Sequence, residues 1–147
     1  RNWGFVPMTD AELEYMAKNL KPLIDPEMAL FAFVREEPAG FFLALPDYNL
    51  ILKDLKGRLF PTGIFRLLFG RRKIGRVRVM ILGVVEKYRK MGLEAVLLDE
   101  VYRRGPARGY VEGELSWILE DNEPMNRIIR RLTDEPYRVY RIYGRDL

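Results

Sequence analysis

The segment from Gly83 to Glu94 contains residues that could bind a phosphate group. It joins an apolar stretch, Val77 to Leu82, to a helical pattern through a short loop that holds Arg89, Lys90 and Gly92. The first amides of a helix lack intrahelical partners and, together with the helix dipole, form an anion site. Glycine lets the backbone approach an anion closely, and a basic side chain adds charge. The loop is therefore a candidate phosphate site; a plain strand-to-helix turn with a solvated basic pair is the alternative.

The sequence contains neither histidine nor cysteine. Their absence excludes disulfides and thiolate chemistry, and it removes the commonest general base and the commonest zinc ligand. Any proton transfer must therefore use carboxylates, tyrosines, a lysine, water or the backbone. We predict no metal site.

Carboxylates on one predicted strand are the candidate bases. Glu112, Glu114 and Glu120 recur at even spacing, which places them on one face of a strand. Glu114 is the first choice for a general base because it lies in the middle of that strand. Ion pairs with Arg76 and Arg78, which share a face of the preceding strand, are the alternative.

Composition limits the class of protein. The 147 residues are 48% hydrophobic and 31% charged, which is typical of a soluble globular protein, and we predict a single domain over residues 1–147. No apolar run is long enough to cross a bilayer and no secretion signal is recognisable, so we expect no membrane partner and a cytoplasmic location. The first residue is Arg1, which is consistent with the C-terminal part of a longer protein.

A basic cluster lies between Phe65 and Met80, where no acidic residue occurs. A solvated face and a site for an anionic ligand are both compatible with this pattern. Nucleic-acid binding is not expected, because the interleaved aromatics of a base-stacking surface are missing. The cluster consists of Arg66, Arg71, Arg72, Lys73, Arg76 and Arg78.

The first half of the chain predicts a helix followed by a hairpin. Thr9 to Glu12 is a capping box that starts a helix ending near Leu20. Met28 to Arg35 and Phe41 to Leu45 are apolar and aromatic, which predicts two antiparallel strands joined by a turn over Glu36 to Gly40. We expect the phenylalanines of this hairpin to belong to the core.

The second half alternates strands and helices. Strands are predicted at Arg76 to Leu82, Tyr110 to Leu119 and Tyr137 to Tyr143, and helices at Tyr88 to Arg104 and Asn122 to Leu132. A strand-helix-strand unit implies parallel pairing of the first two strands, so the fold class is α/β (α+β) with a mixed, twisted sheet flanked by helices. Short helices are expected at Leu50 to Leu55 and Ile64 to Phe69.

This element order resembles that of the GNAT N-acetyltransferase superfamily. The coenzyme A pyrophosphate loop of that superfamily reads Gln/Arg-x-x-Gly-x-Gly/Ala, and residues 89–94 read Arg-x-x-Gly-x-Glu, with Glu94 in place of the small residue. In the bacterial branch that the chain resembles, the domain follows another GNAT-like segment. The phrases that carry this second resemblance are Asn2 to Phe5, Ala44 to Asn49, Glu114 to Asn122 and Tyr140 to Tyr143.

The resemblance implies an acyl-CoA-dependent N-acyltransferase. Such an enzyme transfers an acetyl group from acetyl-CoA, or another acyl group from its CoA thioester, to a small amine or an amino-acid-like acceptor. In the family the cofactor lies along the end of a strand, the following loop and the start of the next helix, and an asparagine contacts the pantetheine arm. The corresponding residues are Leu82, Gly83, Val84, Arg89, Lys90, Met91, Gly92, Leu93 and Asn122.

Two catalytic roles follow from the same resemblance. Glu114, chosen from its position in the strand and from the absence of histidine and cysteine, is the candidate general base, and in many family members a tyrosine protonates the leaving thiolate. The helix turn that carries this tyrosine in many members holds Ile129 and Arg130 here, so Tyr140, from the later group of tyrosines, is the candidate acid. A non-catalytic GNAT-like ligand-binding or structural domain of a tandem protein is the alternative, and a homodimer is compatible with either function.

Overall fold

A four-stranded mixed sheet organises the larger of the two units into which the chain divides, Val6–Ser116. The computed structural model describes residues 6–55, 60, 63, 65, 69–133, 135–141, 143 and 144. The strands follow one another across the sheet in chain order; β1 pairs antiparallel with β2, β2 antiparallel with β3, and β3 parallel with β4. The predicted hairpin and the predicted parallel pairing are therefore confirmed, but the strand predicted at Tyr110 to Leu119 is shorter than expected and does not include Glu120. The strands are β1 (Ala29–Val34), β2 (Glu37–Pro46), β3 (Arg76–Val84) and β4 (Glu112–Leu115).

The hairpin turn lies earlier than the sequence predicted. The expected turn over Glu36 to Gly40 is wrong, because β2 already begins at Glu37. The turn is formed instead by Arg35 and Glu36, whose φ angles are 48° and 69°. A two-residue turn with both φ angles positive matches the right-handed twist of the flanking strands. Pro38 pairs with Phe33 of β1 and Gly40 pairs with Val84 of β3, and these pairings keep the Pro-Ala-Gly segment extended and override its local turn signal.

Helix α1 (Asp10–Leu20) starts at the predicted capping box. The backbone amide of Glu12 donates to Thr9 Oγ1 at 3.3 Å, and the amide of Thr9 donates to Glu12 Oε2 at 2.8 Å. The short helix α2 (Asn49–Leu55) is also confirmed.

The helix expected at Ile64 to Phe69 lies largely outside the described residues. No helix in the described part of the chain is both long and apolar enough to span a bilayer.

Helix α3 (Leu93–Arg104) connects β3 to β4 and covers one face of the sheet. Its Leu97 is buried in a cluster with strand residues Leu30, Phe42 and Val77. The helix begins later than the predicted Tyr88, because Glu86–Tyr88 forms a separate 3-10 turn. The loop between this turn and α3 is therefore longer than the sequence indicated.

The second unit comprises Trp117–Leu147 together with residues 1–5, which lie outside the described residues. It contains α4 (Glu123–Ile129), which confirms a shorter form of the helix predicted after Asn122. The strand predicted at Tyr137 to Tyr143 is wrong, since its described residues form no strand. Strand propensity reflects packing against neighbouring strands more than an intrinsic preference of the backbone. The single domain over 1–147 remains a prediction.

A buried carboxylate ties the start of β1 to the segment after α3. Asp25 accepts hydrogen bonds from Arg108 Nε at 3.1 Å, from Arg108 Nη2 at 3.2 Å and from the Tyr110 hydroxyl at 3.0 Å. Burial raises the pKa of Asp25, but these hydrogen bonds outweigh burial and hold that pKa below its ordinary value. Burial and the neighbouring Asp25 raise the pKa of Tyr110 to about 12. The network is therefore ionised at Asp25 and neutral at Tyr110 near neutral pH.

Replacing Asp25 with asparagine should lower the free energy of unfolding by about 2–4 kcal/mol near neutral pH, because the charged acceptor of four hydrogen bonds is lost. The fourth of these bonds comes from the backbone amide of Glu27 at 3.2 Å. A lowered pKa means that this contribution is present above the pKa of Asp25 in the unfolded chain and is lost as the pH falls through the folded-state pKa. The wild type and the variant should therefore converge below about pH 4 in urea unfolding. The control is Asp99→Asn on the exposed side of α3; a difference that persists in acid would contradict the account.

Candidate functional site

Strand β3 extends beyond its pairing with β4. The parallel ladder runs from Arg76 opposite Glu112 to Val79 opposite Leu115, whereas β3 continues to Val84. Among the described residues, the end of β3 therefore pairs only with β2. Sheet edges of this kind present backbone donors and acceptors to another chain or a ligand. Leu82, Gly83 and Val84, the predicted thioester-binding residues, lie in this segment.

A β-bulge lies where the two parallel strands part. In the pairing of β2 with β3, Leu43 is opposite Ile81 and Ala44 is opposite Val79, so Met80 is the extra residue. A bulge bends its strand and increases the local twist. The bulge directly follows the last β3–β4 pair, Val79 with Leu115, so β3 changes its local geometry where its pairing with β4 ends.

The loop after β3 ends in an uncapped helix N-terminus. Lys90 and Gly92 both have positive φ angles, 70° and 78°. Gly92 is the residue before α3, and no side chain accepts a hydrogen bond from the first amides of that helix. Those amides are the groups that an anion would satisfy. A Cβ at Gly92 would meet no heavy atom within 4 Å, so the space beside the loop is open.

The side chains of the predicted cofactor loop differ in exposure. Arg89, Lys90 and Met91 are exposed, and Leu93 is half-buried at the start of α3. Arg89 Nε lies 3.4 Å from the carbonyl oxygen of Val84, which keeps the guanidinium beside the end of β3. Glu94, where the family has a small residue, is half-buried in the first turn of α3. The structure therefore brings an open backbone edge, an uncapped helix and two cations to one end of the sheet.

The backbone carries the remaining predicted contacts. The side chain of Leu82 packs against the core, so only its backbone is directed to the open edge. A Cβ built on Gly83 would meet no heavy atom within 4 Å. Gly83 is exposed, so the sheet face is open at this residue.

Glu114 belongs to a network of charges between β3 and β4. Its Oε1 accepts from Arg78 Nη2 at 2.8 Å and from the Ser116 hydroxyl at 3.1 Å. Arg76 Nε donates to Glu112 Oε2 at 2.7 Å, and this bond raises the pKa of Arg76 above its ordinary value. The ion pairs considered as the alternative from the sequence are therefore present.

Exposed phenylalanines share the sheet face of Glu114. Phe31 is opposite Phe41, and the two ring centroids are 4.7 Å apart. Phe41 alternates along β2 with Leu43 and Leu45, and Leu45 is opposite Arg78, the partner of Glu114. Cross-strand neighbours lie on the same face, so this face is the one that α3 does not cover.

The expectation that all hairpin phenylalanines are core residues is wrong. Only Phe42 is fully buried, whereas Phe31 is 63% and Phe33 is 58% exposed. Composition gave no signal for this difference, since all four phenylalanines lie in apolar runs. The alternation within β2, with Phe42 on one face and Phe41 on the other, was the available signal.

Asn122 and Tyr140 lie in the second unit. The Asn122 side chain accepts from the backbone amide of Met125 at 3.4 Å and caps α4. Within the same segment, Asn126 Nδ2 donates to the carbonyl oxygens of Leu119 and Glu120, which fixes the approach to the helix. Tyr140 is 69% exposed in irregular backbone. Their roles in cofactor contact and thiolate protonation remain predictions.

Two sequence relatives match nearly the whole chain. It is 39% identical over 153 aligned positions to Protein YghO of Escherichia coli (strain K12) and 35% identical over 153 to the bacterial ceramide synthase of Caulobacter vibrioides (strain NA1000 / CB15N). Both alignments cover 99% of the chain but only 39% and 40% of the relatives, so the chain spans about two fifths of their length. No family model matches the chain.

Solved structures establish the fold. The aminoglycoside acetyltransferase AAC(6')-Iy, bound to the bisubstrate analogue CoA-S-monomethyl-acetylneamine, superposes with a TM-score of 0.60 at 19% identity and covers 99% of this chain and 84% of its own. The 6'-N-acetyltransferase AAC(6')-IG of Acinetobacter haemolyticus has a TM-score of 0.60 at 12% identity and covers 97% and 85%. The chain thus has the GNAT fold, as the sequence resemblance predicted.

Replacing Gly92 with alanine should weaken coenzyme A binding by about tenfold or more, because the left-handed φ is lost and the loop amides move. Gly109 offers a matched control, since its φ is 84° and a Cβ there would also meet no heavy atom within 4 Å. Both variants should lose about 1–2 kcal/mol of stability from backbone strain. In calorimetry with coenzyme A, only the Gly92 variant should bind more weakly than the wild type. Equal affinities of the Gly92 and Gly109 variants would exclude the loop as the binding site.

Proposed function

We propose that this GNAT-fold domain is an N-acyltransferase that transfers an acyl group from acyl-coenzyme A to an amine. The observation that carries the proposal is that β3 continues without its β4 partner after Val79 and leads, through a short turn and loop, to an uncapped helix N-terminus. An extended thioester cofactor requires an open backbone edge for its arm and an anion site for its diphosphate. The two features follow one another along the chain, in the order that such a cofactor requires.

The residues present fit coenzyme A. The amides around Gly92 and Leu93 would hold the diphosphate, with Arg89 and Lys90 adding positive charge. The backbone of Leu82 to Val84 would contact the arm and polarise the thioester carbonyl. Acyl-coenzyme A, acetyl-CoA in the simplest case, would supply the activated acyl group.

Glu114 is proposed to remove the proton from the attacking amine, directly or through a water. Arg78 Nη2 donates to Glu114 Oε1 at 2.8 Å, so the candidate base is held in a fixed position beside β3. Only 11% of the Glu114 side chain is exposed, so a proton that it accepts would be partly shielded from bulk water. Tyr140 of the second unit is proposed to return a proton to the leaving sulfur.

The acceptor is proposed to be a small amine, as the aminoglycosides are for the two solved neighbours. A second candidate is an amine with a long apolar chain, and the exposed rings of Phe31 and Phe33, beside the half-buried Phe41, favour it. These rings and Glu114 lie on the same side of the sheet, with the buried Leu43 and Leu45 of β2 between them. One sequence relative is named a ceramide synthase, which agrees with the second candidate. A cytoplasmic location and a homodimer remain predictions.

The non-catalytic alternative also has support. Glu114 is paired with Arg78, Glu94 occupies the position of a small loop residue, and the turn at Ile129 has no tyrosine. A ligand-binding domain would bind coenzyme A without turnover, and a structural domain would not bind it. Calorimetry with coenzyme A and acetyl-CoA, followed by thiol release with an amine panel, distinguishes the three outcomes.

Glu114→Gln should lower kcat by about 10²-fold while leaving the affinity for coenzyme A unchanged, because glutamine keeps the shape and an acceptor oxygen but not the basicity. The matched control is Glu112→Gln, which makes the same change of charge in the neighbouring ion pair, that of Glu112 with Arg76. Initial rates as a function of pH provide the measurement.

Two results would count against Glu114 as the base. One is a Gln variant that retains its rate and its pH profile. The other is an equal loss in both variants, which would show that the charge network matters and the individual carboxylate does not.

A substitution of the exposed Phe31 distinguishes the two proposed classes of acceptor amine. Replacing Phe31 with serine should raise KM for a long-chain amine about tenfold, since roughly 60–100 Å² of apolar contact is lost, and leave KM for an aminoglycoside unchanged. The exposed ring contributes little to the core, so the melting temperature of this variant should equal that of the wild type. The buried Phe42→Ser is the contrasting variant, because it should unfold the protein. If the Phe31 substitution changes KM for the long-chain amine no more than KM for the aminoglycoside, the second candidate is excluded.

A further inference from the structure

A side-chain bridge joins the hairpin to the loop that follows β3. The Glu37 carboxylate accepts a hydrogen bond from the Tyr88 hydroxyl at 2.6 Å and forms an ion pair with Lys87. The Lys87 ammonium lies 4.8 Å from the centroid of the Tyr88 ring, so the three side chains contact one another. These contacts lower the pKa of Glu37 and raise that of Lys87, which keeps both charged across the neutral range.

The bridge holds the turn from which the candidate cofactor loop starts. Lys87 and Tyr88 belong to the 3-10 turn Glu86–Tyr88, and the loop residues with positive φ follow directly. A second link is the backbone hydrogen bond from the Val85 amide to the Ala39 carbonyl, at 2.9 Å. The turn is thus fixed to β2 at two points, one of the backbone and one of side chains.

An open cavity separates the rest of the loop from the hairpin. Its volume is about 380 Å³, and it lies between the hairpin turn and the loop. Met91 of the loop lines this cavity together with the three residues of the Glu37 bridge. The lining residues are Val34, Arg35, Glu37, Lys87, Tyr88 and Met91.

We propose that Glu37 is a positioning residue that holds the turn before the cofactor loop and so orders the loop amides for a diphosphate. The inference rests on the proposed function, because the diphosphate is that of coenzyme A. A loop that is ordered before binding loses less conformational entropy when the ligand arrives. An exposed ion pair contributes little to global stability, so the effect falls on the loop and not on the fold.

The test compares neighbouring glutamates of the hairpin. Glu37→Ala should weaken coenzyme A binding about five- to tenfold in calorimetry and speed amide exchange of residues 89–95 in the free protein. Tyr88→Phe should give a smaller loss, and adding it to Glu37→Ala should cause no further loss, since both changes break one bridge. Glu37→Gln keeps an acceptor for Tyr88 and should restore part of the affinity. The control, Glu36→Gln, removes the same charge one residue earlier.

The outcomes separate this inference from the function on which it rests. A wild-type protein that does not bind coenzyme A overturns the proposed function and the inference with it. If the wild type binds coenzyme A and the Glu37→Ala variant matches the Glu36 control in affinity and in amide exchange of the loop, only the inference is overturned. A Glu37 variant whose melting temperature falls as its affinity does would assign a global structural role to Glu37 and would also overturn the proposal.

Discussion

The limited pairing of β3 with β4 is the constraint on which the site depends. The parallel ladder stops at Val79, and the bulge at Met80 bends β3 where the pairing ends. A fully paired strand would have its backbone donors and acceptors occupied by its neighbours, and no extended ligand could bind along it. The continued pairing with β2 keeps the same segment rigid. An open edge and a fixed backbone are therefore provided by one strand with different neighbours on its two sides.

Charge pairing limits what the positively charged cluster can do. Arg71 donates to the carbonyl oxygen of Ile24 at 2.8 Å, while Arg76 and Arg78 pair with carboxylates of β4. These three arginines serve the fold, so the density of basic residues in the sequence overstates the charge that is presented to a ligand. Arg89 and Lys90, outside the cluster, are the cations at the uncapped helix. The anion site thus depends on position at a helix terminus more than on the number of basic residues.

The sequence predicted those parts of the fold that local patterns determine. The capping box at Thr9, the hairpin and the parallel strand pair each follow from side-chain periodicity or from hydrogen bonds between near neighbours. The loop around Gly92 was found for the same reason, since a glycine between a strand and a helix is a local signal. The exact turn was not found, because Glu37 and Pro38 pair with Val34 and Phe33 of β1, which overrides the turn signal of the Pro-Ala-Gly segment.

Features that depend on partners were beyond the sequence. The residues from Tyr137 to Tyr143 have high strand propensity, yet those described form no strand, since propensity does not supply a neighbouring strand. The Glu37 bridge joins residues about fifty positions apart, and no spacing rule connects them. Likewise, three carboxylates on one face suggested a base, while the register of β3 against β4 decides that Glu114 lies opposite Arg78. A base in that position must act with an arginine beside it, so its reactivity is a property of the strand pair and not of the glutamate alone.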